Sequence, residues 1–90
     1  MTPEDKQLDL GLQPLDQIML GASLSNHDLV EASTSQLTHK MVARGRRGRR
    51  LKRKVQLKIL EALNAHVKAQ APDTHRVYGL PDLFNYKGLF

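Results

Sequence analysis

Leu24-Ser25-Asn26-His27-Asp28-Leu29-Val30, then Ser33-Thr34-Ser35, then Leu37-Thr38-His39-Lys40-Met41-Val42-Ala43-Arg44: the reading of this run decides the fold. Ser25 followed three residues later by Asp28 is a capping-box arrangement, with Asp in place of Glu. It predicts a helix from Asn26 to Ala32, with Leu29, Val30 and Ala32 as its apolar residues. Ser33, Thr34 and Ser35 compete with the helix for backbone hydrogen bonds, so the chain should turn there. Thr38 is a good N-cap. From it, His39 to Arg44 makes a second short helix with Met41 and Val42 inward. Leu37, just before the cap, can staple against Val42. Gly45 reads as the stop of this helix, and Gly48 as a second flexible point.

Working outward, Pro14 suits the first turn of a preceding helix, where its missing N–H costs nothing. Leu15, Ile18, Met19 and Ala22 then fall on one face, and Gly21 weakens the end. Downstream, Leu51 to about Ala69 contains neither Gly nor Pro. Val55, Ile59, Ala62, Leu63 and His66 form one stripe along this longest helix, which Ala71-Pro72-Asp73 ends. The chain therefore divides into a flexible polar leader over 1–13, a helical domain over 14–70 and a tail over 71–90. All four aromatic residues lie in that tail: Tyr78, Phe84, Tyr86 and Phe90. With Leu80, Leu83 and Leu89 beside them, residues 76–90 are too apolar for an indifferent disordered end. They should pack on their own domain or on a protein partner.

The fold class expected is all-α: a small helix-turn-helix bundle of about four helices. Its expected core is Leu15, Ile18, Met19, Leu29, Val30, Leu37, Met41, Val42, Val55, Ile59 and Leu63. Ninety residues allow one small domain. With 4% aromatics and no Trp, a sandwich packed around rings is excluded. The absence of Cys excludes a disulfide scaffold, thiolate zinc ligation and a thiol nucleophile.

Charge is unevenly distributed. Residues 1–37 carry six carboxylates against Lys6, whereas 38–90 carry thirteen cations against Glu61, Asp73 and Asp82. Arg44, Arg46, Arg47, Arg49, Arg50, Lys52, Arg53 and Lys54 crowd into eleven positions. These groups repel one another and cannot all be paired internally, so a polyanion is the expected partner. Arg44-Gly45-Arg46 and Arg47-Gly48-Arg49 are two Arg-Gly-Arg triplets. Such a triplet, if extended, is thin enough for an A·T-rich minor groove. It is similar to the core of an AT-hook without the following Pro.

The two capped segments and the long helix resemble the helix-turn-helix of the phage repressor and Cro family, over roughly residues 15–65. Leu24 to Val30 match its first helix, and Leu37 to Arg44 its recognition helix. Lys58-Ile59-Leu60-Glu61-Ala62-Leu63-Asn64 matches the helix that closes its core. The resemblance implies sequence-influenced DNA binding by a small transcriptional regulator. It implies that the recognition helix lies in a major groove with Thr38, His39, Lys40 and Arg44 near base edges. Arg44 would fork onto a guanine, and Asn26 would hold a phosphate at a helix start. The basic residues Arg46, Arg47, Arg49, Arg50, Lys52, Arg53 and Lys54 would supply further phosphate contacts. A homodimer through the tail or the long helix is implied as well.

Two other functions stay open. Arginine-rich segments also bind structured RNA, so an RNA- or ribosome-binding protein is one, with DNA preferred. An adaptor that docks through residues 76–90 is the other. No enzyme is expected: no carboxylate pair sits in an apolar setting, and no phosphate loop of P-loop spacing occurs. His27, His39, His66 and His75 lack ligand spacing, so neither a metal nor a cofactor is expected. His66 is read as a packing residue at the helix end. The start of the chain has no apolar signal segment and no run long enough for a membrane span, so the expected location is cytoplasmic, at the nucleoid.

Overall fold

A computed structural model describes residues 11–71, 73 and 77–86. The expectations for residues 1–10, and for Phe90 and Leu89 in the tail, lie outside the described residues. The chain is all-α. The described residues form five helices: α1 Pro14–Gly21, α2 Asn26–Ala32, α3 His39–Arg47, α4 Arg53–Gln70 and α5 Leu80–Leu83. α4 is the spine, against which α2, α3 and α5 all pack.

Local chemistry starts and stops these helices. Pro14 occupies the first turn of α1 behind Gln13. At its other end Leu24 N–H donates to the Met19 carbonyl (2.8 Å) and Ser23 N–H to that of Leu20 (3.1 Å). This is a Schellman closure, with Ser23 in the left-handed conformation that glycine usually takes (φ 57°). Buried Leu24 and Met19 complete its apolar contact. α2 starts with the full capping box: Asp28 N–H donates to Ser25 Oγ and Ser25 N–H to the Asp28 carboxylate. The chain turns after α2 on Ser33, whose hydroxyl bonds to the Ser35 carbonyl and accepts its N–H. Thr38 Oγ1 then caps α3 by accepting Met41 N–H at 3.1 Å.

Gly45 does not stop α3. The helix runs on to Arg47, and Gly45 is buried within it. A β-carbon there would stand 3.0 Å from Ile59 Cδ1 and 3.4 Å from Leu51 Cδ1, so glycine lets α3 and α4 approach. Closure falls to Gly48 instead, at φ +91°. Arg44, Arg46 and Arg47 then sit in the last turn, where positive charge complements the helix dipole. The first Arg-Gly-Arg triplet is therefore helical, which overturns its extended, minor-groove form.

Gly48 also meets the chain ahead of α1. A β-carbon on it would overlap the Gly11 carbonyl. Gly48→Ala should lower the unfolding free energy by about 2 kcal/mol, half from the left-handed backbone and half from displacing residues 11–13. Chemical denaturation checks this. A loss of only about 1 kcal/mol, the share of the left-handed backbone alone, would mean that those residues do not pack on α3.

The core comprises Leu15, Met19, Leu24, Leu29, Leu37, Val42, Leu51, Ile59, Ala62, Leu63, Leu83 and Phe84. Ile18, Val30, Met41 and Val55 were expected in it and are partly buried at its edge. Residues 77–86 pack on their own domain. Leu83 and Phe84 are buried, and the Asn64 side-chain amide pairs with both backbone groups of Tyr78 (2.8 and 3.0 Å). Gln13, at the end of the expected leader, is buried too. Its N–H donates to the Arg46 carbonyl and its Oε1 accepts Asn85 N–H.

Candidate nucleic-acid interface

The face of α3 follows from its period. Val42 and Gly45 are buried. At 100° per residue, Lys40, Arg44 and Arg47 fall on the opposite side, and all three are exposed. The same geometry that needs a glycine beside Ile59 thus sends three cations outward. His39 is exposed at the start of this helix, where its ring stacks on that of His27 (centroids 5.5 Å apart, planes 26°). His27 Nε2 lies 3.1 Å from a Glu31 carboxylate oxygen. Sequence reasoning missed this pairing because the two histidines belong to different helices.

Beyond α3, residues 48–52 form the connector to α4. Arg50 and Lys52 are exposed and Arg49 is half-buried. Lys52 serves as the N-cap of α4 without a side-chain cap bond, and Arg53 and Lys54 follow in the first turn with no acidic residue beside them. Cations at a helix N-terminus oppose the dipole, so this end of α4 carries charge that its own fold does not compensate. Among the described residues, Lys40, Arg44, Arg47, Arg50, Lys52, Arg53 and Lys54 make no ion pair.

Arg46 is placed differently. It turns inward, its Nε donating to Asp16 Oδ1 at 2.6 Å and its Nη1 to Asn26 Oδ1 at 2.9 Å. Asp16 and Arg46 side chains retain only 13% and 18% of their exposure. One guanidinium thereby ties α1, α2 and α3 together. Asn26 is half-buried at the start of α2 with its carbonyl oxygen occupied by Arg46. The exposed Thr38 spends its hydroxyl oxygen on the cap. Of the residues singled out from sequence, the structure therefore sets Lys40, Arg44 and Arg47 on one helical face and Arg46 and Asn26 inside a polar cluster.

On another side, Asp28 and His66 line a groove with Leu24 and Val67, between α2 and the C-terminal half of α4. The Ser25 backbone N–H, and then its hydroxyl, hold the Asp28 carboxyl below the usual aspartate range. The carboxylate is thus already committed to the helix cap. Among the described residues no set of three His, Cys, Asp or Glu side chains could hold a metal ion, and no helix is long and apolar enough to cross a membrane. No family model, curated protein or solved structure matches the chain.

Proposed function

We propose that the protein binds duplex DNA, in preference to RNA, through the outer face of α3 and the basic connector, and acts as a small regulator of transcription. The observation that carries this reading is the row of exposed cations without internal partners. It runs from Lys40, Arg44 and Arg47 through Arg50 and Lys52 into the first turn of α4. A solvated surface gains nothing from crowding like charges at a helix N-terminus, whereas a phosphate backbone neutralises them. Two short capped helices, the second with its buried side on α4, keep the resemblance to phage repressors in play and favour a helix face over a flexible arm. Docking through the aromatic tail is disfavoured, because Leu83 and Phe84 are already buried in the core.

The test is a salt titration. If about 4–6 phosphates are neutralised per chain, affinity for a duplex should fall about a hundred- to a thousandfold between about 50 and 200 mM salt. Competition at fixed salt among duplex DNA, single-stranded RNA and structured RNA ranks the ligands. Affinity indifferent to salt would remove the basic row from any interface, and a winning structured RNA would replace DNA as the ligand.

A further inference from the structure

We propose that the Tyr86 hydroxyl is a positioning group for this nucleic-acid face: it fixes the path of the connector and so the direction of its cations. The inference rests on the nucleic-acid reading above. The phenol Oη donates to the Arg49 carbonyl at 2.8 Å and accepts Leu51 N–H at 3.1 Å. A hydroxyl can do both at once, so one atom spans two backbone groups on either side of Arg50. With those groups held, Leu51 turns into the core while Arg50 is exposed. The ring is itself seated edge-on against buried Phe84, with centroids 5.8 Å apart. The residue before it reaches the connector's entry by another route. Asn85 N–H donates to Gln13 Oε1, and Gln13 N–H donates to the Arg46 carbonyl. The tail thus holds the basic segment at Arg46, Arg49 and Leu51.

A connector this rich in like charges would otherwise sample many conformations, and a ligand would have to order them at an entropic cost. Packing alone does not call for a hydroxyl at position 86, since phenylalanine would fill the same space. The hydroxyl's two bonds both go to the segment that carries the cations.

Tyr86→Phe tests this, because it keeps the ring and every charge. Two readouts are needed: binding to a random-sequence DNA duplex across salt, and amide exchange of the free protein. Binding is expected to weaken about five- to tenfold at physiological salt, with the salt slope unchanged because the same phosphates are still neutralised. The Leu51 amide should exchange faster while those within α3 and α4 keep their protection. Asn64→Ala is the control. It breaks the tail's polar anchor at Tyr78, and should lower stability while leaving affinity as it was. Wild-type affinity in Tyr86→Phe overturns the positioning role, and so does an equal loss in Asn64→Ala, which would reduce the effect to general destabilisation. If the unaltered protein shows no salt-dependent duplex binding, the nucleic-acid reading itself falls, and the positioning role falls with it.

Discussion

Arg46→Ala should lower the unfolding free energy by about 2–4 kcal/mol, the largest loss of stability expected from any one of the eight basic residues between 44 and 54. Breaking one partner of a fully buried ion pair costs about 3–5 kcal/mol, because the other charge is left without compensation. Here the side chains retain 13% and 18% of their exposure, which moves the figure down but not away. Asp16 would lose its 2.6 Å partner, and Asn26 Oδ1 the donor that links α2 to the pair. Denaturant unfolding of Arg46→Ala beside Arg50→Ala makes the comparison. Arg50 is exposed and makes no ion pair among the described residues, so its replacement should change stability by no more than about 0.5 kcal/mol. Equal midpoints for the two variants would mean that Arg46 is one more surface cation. Asp16→Asn combined with Arg46→Met should recover part of the loss, since removing both charges costs less than stranding one.

Arg46 also marks where sequence stops being legible. Ser25 with Asp28, Thr38, Pro14 and the run Ser33–Ser35 act on backbone groups within three residues of themselves, and each does what its local chemistry dictates. Gly45 and Gly48 are three residues apart, and composition gives no reason to prefer either as the end of α3. The choice is made by Ile59, fourteen residues on, which needs the space at Gly45, and by the left-handed turn that Gly48, and not Gly45, takes. The Arg46–Asp16 pair spans thirty residues and lies between elements whose packing no period announces. Helical stripes likewise find Leu15, Leu29, Ile59 and Leu63 but not Leu24 or Leu51. Those two are buried in the connections between helices, where periodicity carries no information. Ile18, Val30, Met41 and Val55 fall short of full burial for a reason of scale: a bundle this small has more rim than interior.

The triple variant Lys40→Ala, Arg44→Ala, Arg47→Ala should weaken duplex binding about a hundredfold at physiological salt, the largest effect on function expected here. Counterion release gives the magnitude. Each phosphate contact contributes a slope of about 0.9 in log K against log salt, so losing three removes about two decades near 0.15 M. The fold should survive, because all three side chains are exposed and alanine is a good helix former. Removing the same charge elsewhere separates base reading from plain attraction. Arg50→Ala, Lys52→Ala and Lys54→Ala together take three cations from the connector and the start of α4, and should weaken random duplexes by a similar factor. What should differ is the ratio of preferred-site to random-duplex affinity, with the preferred site obtained by selection from a random pool. If α3 lies in a major groove, that ratio collapses only in the α3 variant, because Arg44 carries the guanine fork and about 1–3 kcal/mol of discrimination with it. If the ratio survives there and collapses in the connector variant, the readers are Arg50, Lys52 and Lys54, and α3 serves only as their support. If both variants scale all duplexes alike, the face binds phosphates without choosing among sequences. The protein would then be a DNA-coating or architectural factor, because a regulator needs the ratio and charge alone cannot supply it.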